Sequence, residues 1–300
     1  MDKIKIGLPR TIYYYNEGKF LKYFFEELNF EVVISPITNN EIKELGKTIA
    51  NDEMCLSLKL FLGHVAYLVD KCDYILNVRM DNCGLFEQGC TNYICTYDLI
   101  NNLFKKNIIN INIDHYNYKT LYKELLKLFN EFNIDKKQIK NAYLFSKIKV
   151  SKENKKEIIT NTNKLYMNKT KVLLVGHEYN LHDEYISSNI IKYLNDYNIE
   201  VVYSTLFDKN KLKELTKSLS NDMYFKSGRE SLGACMFARN NINGIIFLTS
   251  FPCGPDSLTN EYIMRKIDLP YLNLIIDDID SDTGIETRLE SYIYILEQNK

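Results

Sequence analysis

Hydrophobic and polar positions follow two different periods along the first third of the chain. Short apolar runs such as "KIKIGLP", "EVVISP" and "CDYILNVR" are typical of buried strands, whereas "GKFLKYFFEELNF" and "CLSLKLFLGHVAYLV" carry apolar residues at helical spacing. Between them, "NNEIKELGKTIA" begins with polar residues suited to helix capping. This order of strands and helices predicts a parallel sheet with helices on both faces.

A second α/β pattern follows a helical middle section. Residues 116–168 contain two amphipathic segments, "YKTLYKELLKLFNEF" and "KKQIKNAYLFSKIKV", and then the polar "SKENKKEIITNTNK". From "KVLLVGH" onward strands and helices alternate again, through "GIIFLTS" to a last helix, "GIETRLESYIYILEQ". We therefore predict an α/β fold of two Rossmann-like or flavodoxin-like lobes with parallel sheets, 1–115 and 169–300, joined by a helical connector at 116–168.

Composition and charge exclude some classes of function. Of the 300 residues 45% are apolar, which is enough for a substantial core, and a net charge of -1 gives no basic surface for nucleic acid. We expect no membrane span, because no apolar run reaches about 18 residues, and no signal peptide at "MDKIKIGLPR". A cytoplasmic protein is the expectation, and there the seven cysteines are core thiols, reactive thiols or metal ligands rather than disulfides.

Three cysteines lie where helices or turns begin. Cys253, in "FPCGPDSL", follows an apolar strand on a stiff turn, at the kind of strand end where α/β proteins bind ligands. Cys55 follows "NDEM", and Cys95 lies in "NYICTYDLI". Helix N-termini favour thiolates and can donate hydrogen bonds to cluster sulfides, so three such cysteines from two lobes can hold one metal site. Simple packing remains open for Cys55.

The other cysteines divide into two groups. Cys83 and Cys90 precede Cys95 in "CGLFEQGCTNYIC", whose spacing differs from the paired CxxC of zinc sites but is compatible with a cluster. A structural zinc site in this loop stays open as an alternative. Cys72 and Cys235 lie on or beside apolar elements, which favours packing.

A few further residues are candidates for chemistry. His177 ends a strand and is expected to face the cleft, whereas His64 lies on an apolar helix and suits a core position. The segment "ELGKT" at 44–48 ends like a phosphate-binding loop, but Glu41 replaces its first glycine, so we expect no nucleotide there. Asp256 suits helix capping better than catalysis.

Eight short motifs, taken in order, resemble a known family. They are "IGLPRTIYYY", "FFEELNFEVVISPITNNEI", "DEMCLSLKLFLGHVAYL", "YIC", "GHEYNLHDEYI", "GRESLGA", "FPCGPDSLTNEYI" and "IETRLESYI". Together they resemble the acyl-CoA dehydratase activase-related proteins of the 2-hydroxyacyl-CoA dehydratase D-component superfamily, over about 4–295. The resemblance implies an oxygen-sensitive protein with a 4Fe–4S cluster held between its lobes by Cys55, Cys95 and Cys253. One departure is "YICT", where the family usually has "YICP".

The resemblance also implies a reaction and a partner. Related dehydratases leave one iron open to a substrate carbonyl, and a separate ATP-dependent activator supplies the electron. Reductive chemistry on an acyl-CoA, of lyase or reductase type, is then one expectation. A non-catalytic electron-transfer or cluster-holding subunit, in a homo- or hetero-oligomer, is the alternative. A double-cubane 8Fe–9S cluster would add Cys83 and Cys90 as ligands. Arg10 and Arg229, in matched motifs, join His177 as possible binders of an anionic substrate.

Overall fold

The structure is a computed structural model that describes residues 3–84, 87–217, 223–278 and 282–298. The chain divides into two compact units, Met1–Asn154 and Lys155–Lys300. Each unit contains one sheet with parallel strands and helices around it, which confirms the predicted α/β class.

The first unit begins with a strand and ends within a long helix that continues into the second unit. In chain order its elements are β1 (Lys5–Leu8), a π-helical turn (Tyr14–Gly18), α1 (Lys19–Glu27), β2 (Glu31–Ile34), α2 (Asn40–Ile49), α3 (Leu56–Val69), β3 (Tyr74–Gly84), β4 (Glu87–Gln88), α4 (Thr91–Ile94), α5 (Thr96–Phe104), β5 (Ile108–Asp114), α6 (Leu121–Leu125), α7 (Leu128–Phe132) and α8 (Lys136–Lys164).

The sheet of the first unit has β1 and β3 at its centre. Strand β1 pairs in parallel with β2 and β3, and β3 pairs in parallel with β5. The short β4 is antiparallel to the end of β3. Pairing between β1 and β3 covers only Ile6 with Tyr74 and Gly7 with Ile75, so β3 continues well beyond the end of β1.

Helices cover this sheet through apolar faces. Helix α1 buries Phe24 and Phe25 completely against the strands. Helices α2 and α3 pack so closely that a Cβ at Gly46 would collide with the backbone of α3. The segment "ELGKT" therefore lies inside α2 as a packing helix and not in a phosphate-binding loop.

The second unit repeats the alternation of strands and helices. Its elements are β6 (Lys171–Val175), α9 (Glu178–Leu181), α10 (Glu184–Asp196), β7 (Glu200–Tyr203), α11 (Lys209–Thr216), α12 (Lys226–Ala238), β8 (Gly244–Ser250), α13 (Gly254–Lys266), β9 (Tyr271–Ile276) and α14 (Asp282–Gln298).

The second sheet is parallel throughout and has the order β7-β6-β8-β9. Every residue of β8 is buried, as expected for a central strand covered on both faces. The chain moves from β6 outward to β7 and then returns to the other side of β6 as β8. Between β6 and β8 the winding direction therefore reverses, which opens a crevice at their carboxyl ends.

The helices give no sign of a membrane span. None in the described part of the chain is both long enough and apolar enough to cross a bilayer.

Candidate functional site

Cys253 lies three residues after the end of β8 and immediately before α13. Its backbone is extended (φ -91°, ψ 98°), and it is the N-cap residue of a helix with Pro255 in the first turn. The side chain makes no capping hydrogen bond and is partly exposed. The thiol therefore lies at the positive end of the helix dipole, beside backbone N–H groups that have no partner within the helix.

His177 reaches the same place from the neighbouring strand. It follows Gly176 at the end of β6, and its Nε2 lies 3.0 Å from Oδ1 of Asp256 in the first turn of α13. The ring stacks on Tyr179 with centroids 4.8 Å apart, which fixes its orientation. Within the described ranges, His177, Cys253 and Asp256 form a group whose nitrogen, sulfur and oxygen ligand atoms lie within 4.8 Å of one another.

The side chains of Asp256 and Cys253 favour a positive charge on His177. Burial disfavours a charged imidazole, but the carboxylate of Asp256 and the sulfur of Cys253 raise the pKa of His177 well above its ordinary value. The imidazolium donates to Asp256 in this state. After loss of that proton the group offers one nitrogen, one sulfur and one oxygen donor, which suit zinc or iron, and three protein ligands leave room for a further ligand.

Gly176 makes the close approach of β6 and β8 possible at this point. A Cβ on Gly176 would lie 2.5 Å from the carbonyl oxygen of Leu248, a distance that real Cβ atoms do not adopt. Beneath it, the Ser250 hydroxyl donates to Oδ1 of Asn180 at 2.7 Å, and both side chains are buried. The residue after β6 is thus packed tightly against β8, and the buried hydrogen bond joins the end of β8 to α9.

An ionic cluster borders His177. The Lys209 ammonium lies 3.4 Å from Glu178 and 3.3 Å from Glu230. Burial favours the neutral acid, but Lys209 and then other charges lower the pKa of Glu178, so its carboxylate remains ionised. A small pocket adjoins these residues, and the buried Ser204 Oγ in its wall has no hydrogen-bond partner among the residues that the structure describes.

Three of the four candidate cysteines of the first unit also lie at helix starts. Cys55 is the N-cap residue of α3, Cys90 that of α4 and Cys95 that of α5, and none makes a side-chain capping bond. Cys55, Cys83 and Cys90 are partly buried and Cys95 is exposed. Cys83 lies at the end of β3 with its Sγ 3.2 Å from Sδ of Met80.

Tyr13 lies close to this group. Burial, and then the charges of Cys83, Cys90 and Asp81, raise the pKa of the Tyr13 phenol far above its ordinary value. The described residues around Cys83, Cys90 and Cys95 form no triplet of metal-ligand atoms, and the zinc site in this loop stays a prediction.

The remaining two cysteines are buried in the two units. Cys72 donates to the carbonyl of Leu68 at 3.2 Å, and Cys235 is completely buried on α12. Burial raises the pKa of both thiols, which keeps them protonated. Their settings match the packing role predicted for them and differ from those of the cysteines at helix starts.

The structure gives Arg10, Arg229 and His64 internal partners. Nε of Arg10 donates to the carbonyl of Ser35 at 3.1 Å, and Arg229 donates to the carbonyl of Met223 at 2.8 Å. His64 is completely buried with Nε2 3.0 Å from the Thr38 hydroxyl, as expected of a core histidine. The substrate-binding roles considered for the two arginines remain predictions.

One expectation was wrong. Asp256 does not cap α13; Cys253 occupies that position, and Asp256 binds His177 from the first turn instead. The spacing Cys-x-x-Asp in "CGPD" was visible in the sequence, but a partner on a distant strand could be found only from the fold. The ionic cluster at Glu178 was likewise missed.

Comparison with known proteins identifies one matching family. The family described as "CoA enzyme activase uncharacterised domain" matches residues 5–206. A search of curated proteins found no match.

Solved structures give only distant similarities. A crystal structure of ZnuA is 11% identical, with 100% of both chains covered and a TM-score of 0.33. FpvC from Pseudomonas aeruginosa in complex with Mn²⁺ is 12% identical, covers 99% of this chain and 98% of its own, and has a TM-score of 0.33. A putative sugar binding protein from Salmonella typhimurium is 10% identical, with 98% and 87% covered and a TM-score of 0.27. At such TM-scores these similarities support no conclusion about this chain.

Proposed function

We propose that this chain, which belongs to the CoA enzyme activase uncharacterised-domain family because that family matches more than half of it, is an iron–sulfur protein that works with a CoA-dependent enzyme system. Its proposed ligands are Cys55, Cys95 and Cys253, and its proposed cofactor is a 4Fe–4S cluster. Within this proposal the chain acts in the cytoplasm, beside the dehydratase D-component proteins that its motifs resemble.

The observation that carries the proposal is the position of these thiols. All three are N-cap residues of helices, and all three are partly or fully accessible. Thiolates are the usual ligands of iron–sulfur clusters, and hydrogen bonds to the sulfurs tune their potential. The unbonded backbone N–H groups of a helix start are suitable donors for that purpose. The donor chemistry therefore fits the cluster, in contrast to the buried Cys72 and Cys235.

The cluster would supply one-electron chemistry and, with three cysteine ligands, an iron open to a substrate oxygen. In this proposal the chain's own residues hold the cluster and polarise its cysteine ligands. His177 and Asp256 fix the orientation of the Cys253 side chain, and the dipole of α13 stabilises its negative charge. An activator driven by ATP is the proposed electron source, and an acyl-CoA is the proposed substrate. In the non-catalytic form of the same proposal, the chain only holds the cluster or transfers electrons.

The test is anaerobic purification followed by measurement of iron, acid-labile sulfide and the visible spectrum. We expect about four irons per chain and a brown colour, with most of the iron lost in Cys253→Ala. Cys235→Ala, which changes a buried thiol in the same unit, is the matched control and should retain the cluster. About eight irons would instead indicate a double cubane and add Cys83 and Cys90 as ligands. A colourless protein without iron after anaerobic reconstitution would refute the proposal.

A second candidate function has one specific observation in its favour. The three-donor group His177, Cys253 and Asp256 suits a single zinc or ferrous ion with an open position, which is an arrangement of catalytic rather than structural sites. Such an ion would polarise a substrate carbonyl or activate a water. His177→Ala separates the candidates, because it should abolish binding of one ion but leave a cluster held by cysteines in place. His115→Ala, an exposed histidine in the first unit, is the control.

A further inference from the structure

Helix α8 carries apolar side chains on its outer face as well as on its packed face. The packed face buries Ile139 and Ala142 completely in the core of the first unit. On the other side of the helix, Leu144 is 45% exposed, Phe145 46% and Ile148 57%. A helix that packs on one side of a domain normally has polar residues on its outer face. These three side chains instead form an apolar crest, Leu144, Phe145 and Ile148, on the surface of the first unit.

Lysines surround the apolar crest. The part of α8 that belongs to the first unit ends at Asn154, and its exposed lysines are Lys136, Lys137, Lys140, Lys147, Lys149 and Lys152. Lys140 lies one turn before Leu144, and Lys152 lies one turn after Ile148. The single carboxylate of this segment, Glu153, is half-buried and accepts a hydrogen bond from the Tyr23 hydroxyl at 3.0 Å. The outer face is therefore strongly positive, although the whole chain has a net charge of -1.

The lysine at position 149 shows how charge and apolar surface are combined here. Its Nζ lies 3.7 Å from the ring centroid of Tyr23 and 5.7 Å from that of Phe145. Long lysine stems can lie along apolar groups while their ammonium groups reach a polar phase. The outer face of α8 therefore suits a boundary at which an apolar layer adjoins negative charge.

The composition of this face favours a lipid surface over a protein or a nucleic acid. Protein interfaces are enriched in arginine and depleted in lysine, whereas every basic residue of this segment is a lysine. A second copy packed on the same face would place lysines against lysines, which is unfavourable. A nucleic acid would place phosphates against the apolar crest. Helices that lie on membranes, in contrast, combine a lysine-rich surface with exposed phenylalanine and leucine.

We propose that the outer face of α8 binds the surface of an anionic lipid bilayer. The apolar crest enters the headgroup region, and the surrounding lysines contact the lipid phosphates. Attachment of this kind takes two signals, since a few half-exposed apolar side chains bind only weakly without the electrostatic attraction. The helix remains packed on the first unit and lies on the membrane without crossing it. This surface is separate from the proposed metal chemistry of the second unit.

Sedimentation with lipid vesicles tests the proposal. The full-length, anaerobically purified protein is mixed with sucrose-loaded vesicles, made either of phosphatidylcholine alone or of equal parts phosphatidylcholine and phosphatidylglycerol. Each lysine near an anionic surface contributes about five-fold to binding, so we expect about 100-fold higher affinity for the anionic vesicles. Added salt should release the protein, because it screens the attraction. This comparison uses only the wild type.

Two double variants separate the two signals. Lys140→Gln with Lys152→Gln should weaken binding to the anionic vesicles about 25-fold, because two charges are lost. Phe145→Ser with Ile148→Ser should weaken it about ten-fold, because the apolar crest no longer enters the headgroup region. All four positions are exposed, so both proteins should fold, and circular dichroism checks this.

Matched controls change the same residue types elsewhere on the first unit. Lys47→Gln with Lys71→Gln, and Leu103→Ser on α5, alter exposed positions and should leave vesicle binding unchanged. Equal binding by all variants would move the contact to another surface and overturn the proposal. A loss in the lysine pair without a loss in the crest pair would contradict entry of the crest. Failure to bind anionic vesicles, with binding of soluble poly-glutamate, would show an acidic protein to be the partner instead.

Discussion

The two units use the same strand order but place different chemistry at the carboxyl ends of their central strands. In the second unit, the loops after β6 and β8 bring together an imidazole, a thiol and a carboxylate. In the first unit, the loop after β1 borders a small, mostly apolar pocket lined by Ile12, which has a positive φ, and by Asn77, whose amide oxygen has no partner among the described residues. The topology therefore determines where ligands are expected, and the loop residues determine which ligand.

Strand lengths explain much of this difference. In the second unit β6 pairs with β8 as far as Val175 and Phe247, β8 continues only to Ser250, and the residues after the two strands meet where His177 contacts Asp256. In the first unit the pairing of β1 with β3 ends at Ile75, and β3 extends on to Gly84 alongside β5. The loop after β1 must then fill the space beside the extended strand, and the small pocket lies in that space.

The largest effect is expected from Gly176→Ala, which targets the meeting point of β6 and β8. The added Cβ would collide with the backbone carbonyl of Leu248, which cannot move without distorting β8. We expect a loss of about 3 kcal/mol in the free energy of unfolding, measured in urea, and reduced metal content at His177.

Gly254→Ala is the matched control for that substitution. A Cβ at Gly254 has nothing within 4 Å, although this residue adjoins Cys253. The stability and metal content of the Gly254→Ala variant should therefore equal those of the wild type. Equal stability of the two alanine variants would show that β6 and β8 are less tightly joined than described.

An intermediate loss of stability is expected when the pH is lowered, and it depends on the buried His64 in the first unit. Burial, and then the charge of Arg10, lowers the pKa of His64 to about 3 in the folded state. Below its ordinary pKa of about 6.5, the unfolded chain takes up a proton that the folded chain does not, so stability falls as the pH drops from about 6.5 towards 3. This should amount to about 2 kcal/mol at pH 5 relative to pH 8.

The measurement compares urea unfolding of the wild type and His64→Gln at both pH values. The variant should lose about 2 kcal/mol less stability than the wild type on acidification. His115→Gln, at an exposed turn position, should behave as the wild type. An identical acid response in all three proteins would contradict the pKa assigned to His64.

The smallest effect is expected from Tyr292→Phe, which tests the opposite end of the second sheet. The buried Tyr292 hydroxyl lies 3.1 Å from the carbonyl of Ile245 and 3.2 Å from that of Pro270, so its loss should cost about 1 kcal/mol. Because these contacts lie at the amino ends of β8 and β9, metal content should be unchanged. Tyr294→Phe, at an exposed position, should have no effect on stability.

Much of the fold was predictable from periodicity, and one strand shows why some of it was missed. The apolar runs that predicted β1, β6 and β8 are largely buried strands, and the run that predicted β2 is a partly buried strand. The strand β5, "IININID", was overlooked although its isoleucines alternate inward, because the intervening asparagines are typical of loops. Tertiary pairing with β3 along its full length overrides that preference.

Individual residues of the candidate site could be predicted from the sequence, but their contacts with one another could not. Cys253 stood out through its stiff turn, and His177 through its position after a strand. Their pairing with Asp256 depends on β6 and β8 being neighbours, which no local pattern reveals. The backbone of Ile12 was equally hidden, because nothing in "PRTIYYY" requires a positive φ.

The exposed ring of Phe251, two residues before Cys253, makes the site open to optical study. Half of this side chain is accessible, and the chain contains no tryptophan. A single Phe251→Trp substitution would therefore give the protein one tryptophan next to the proposed ligand, and its longer-wavelength absorption allows it to be excited apart from the 23 tyrosines. Iron bound at this site would quench the tryptophan emission, and zinc would leave it unchanged. The emission would therefore report in real time which metal binds to the second unit.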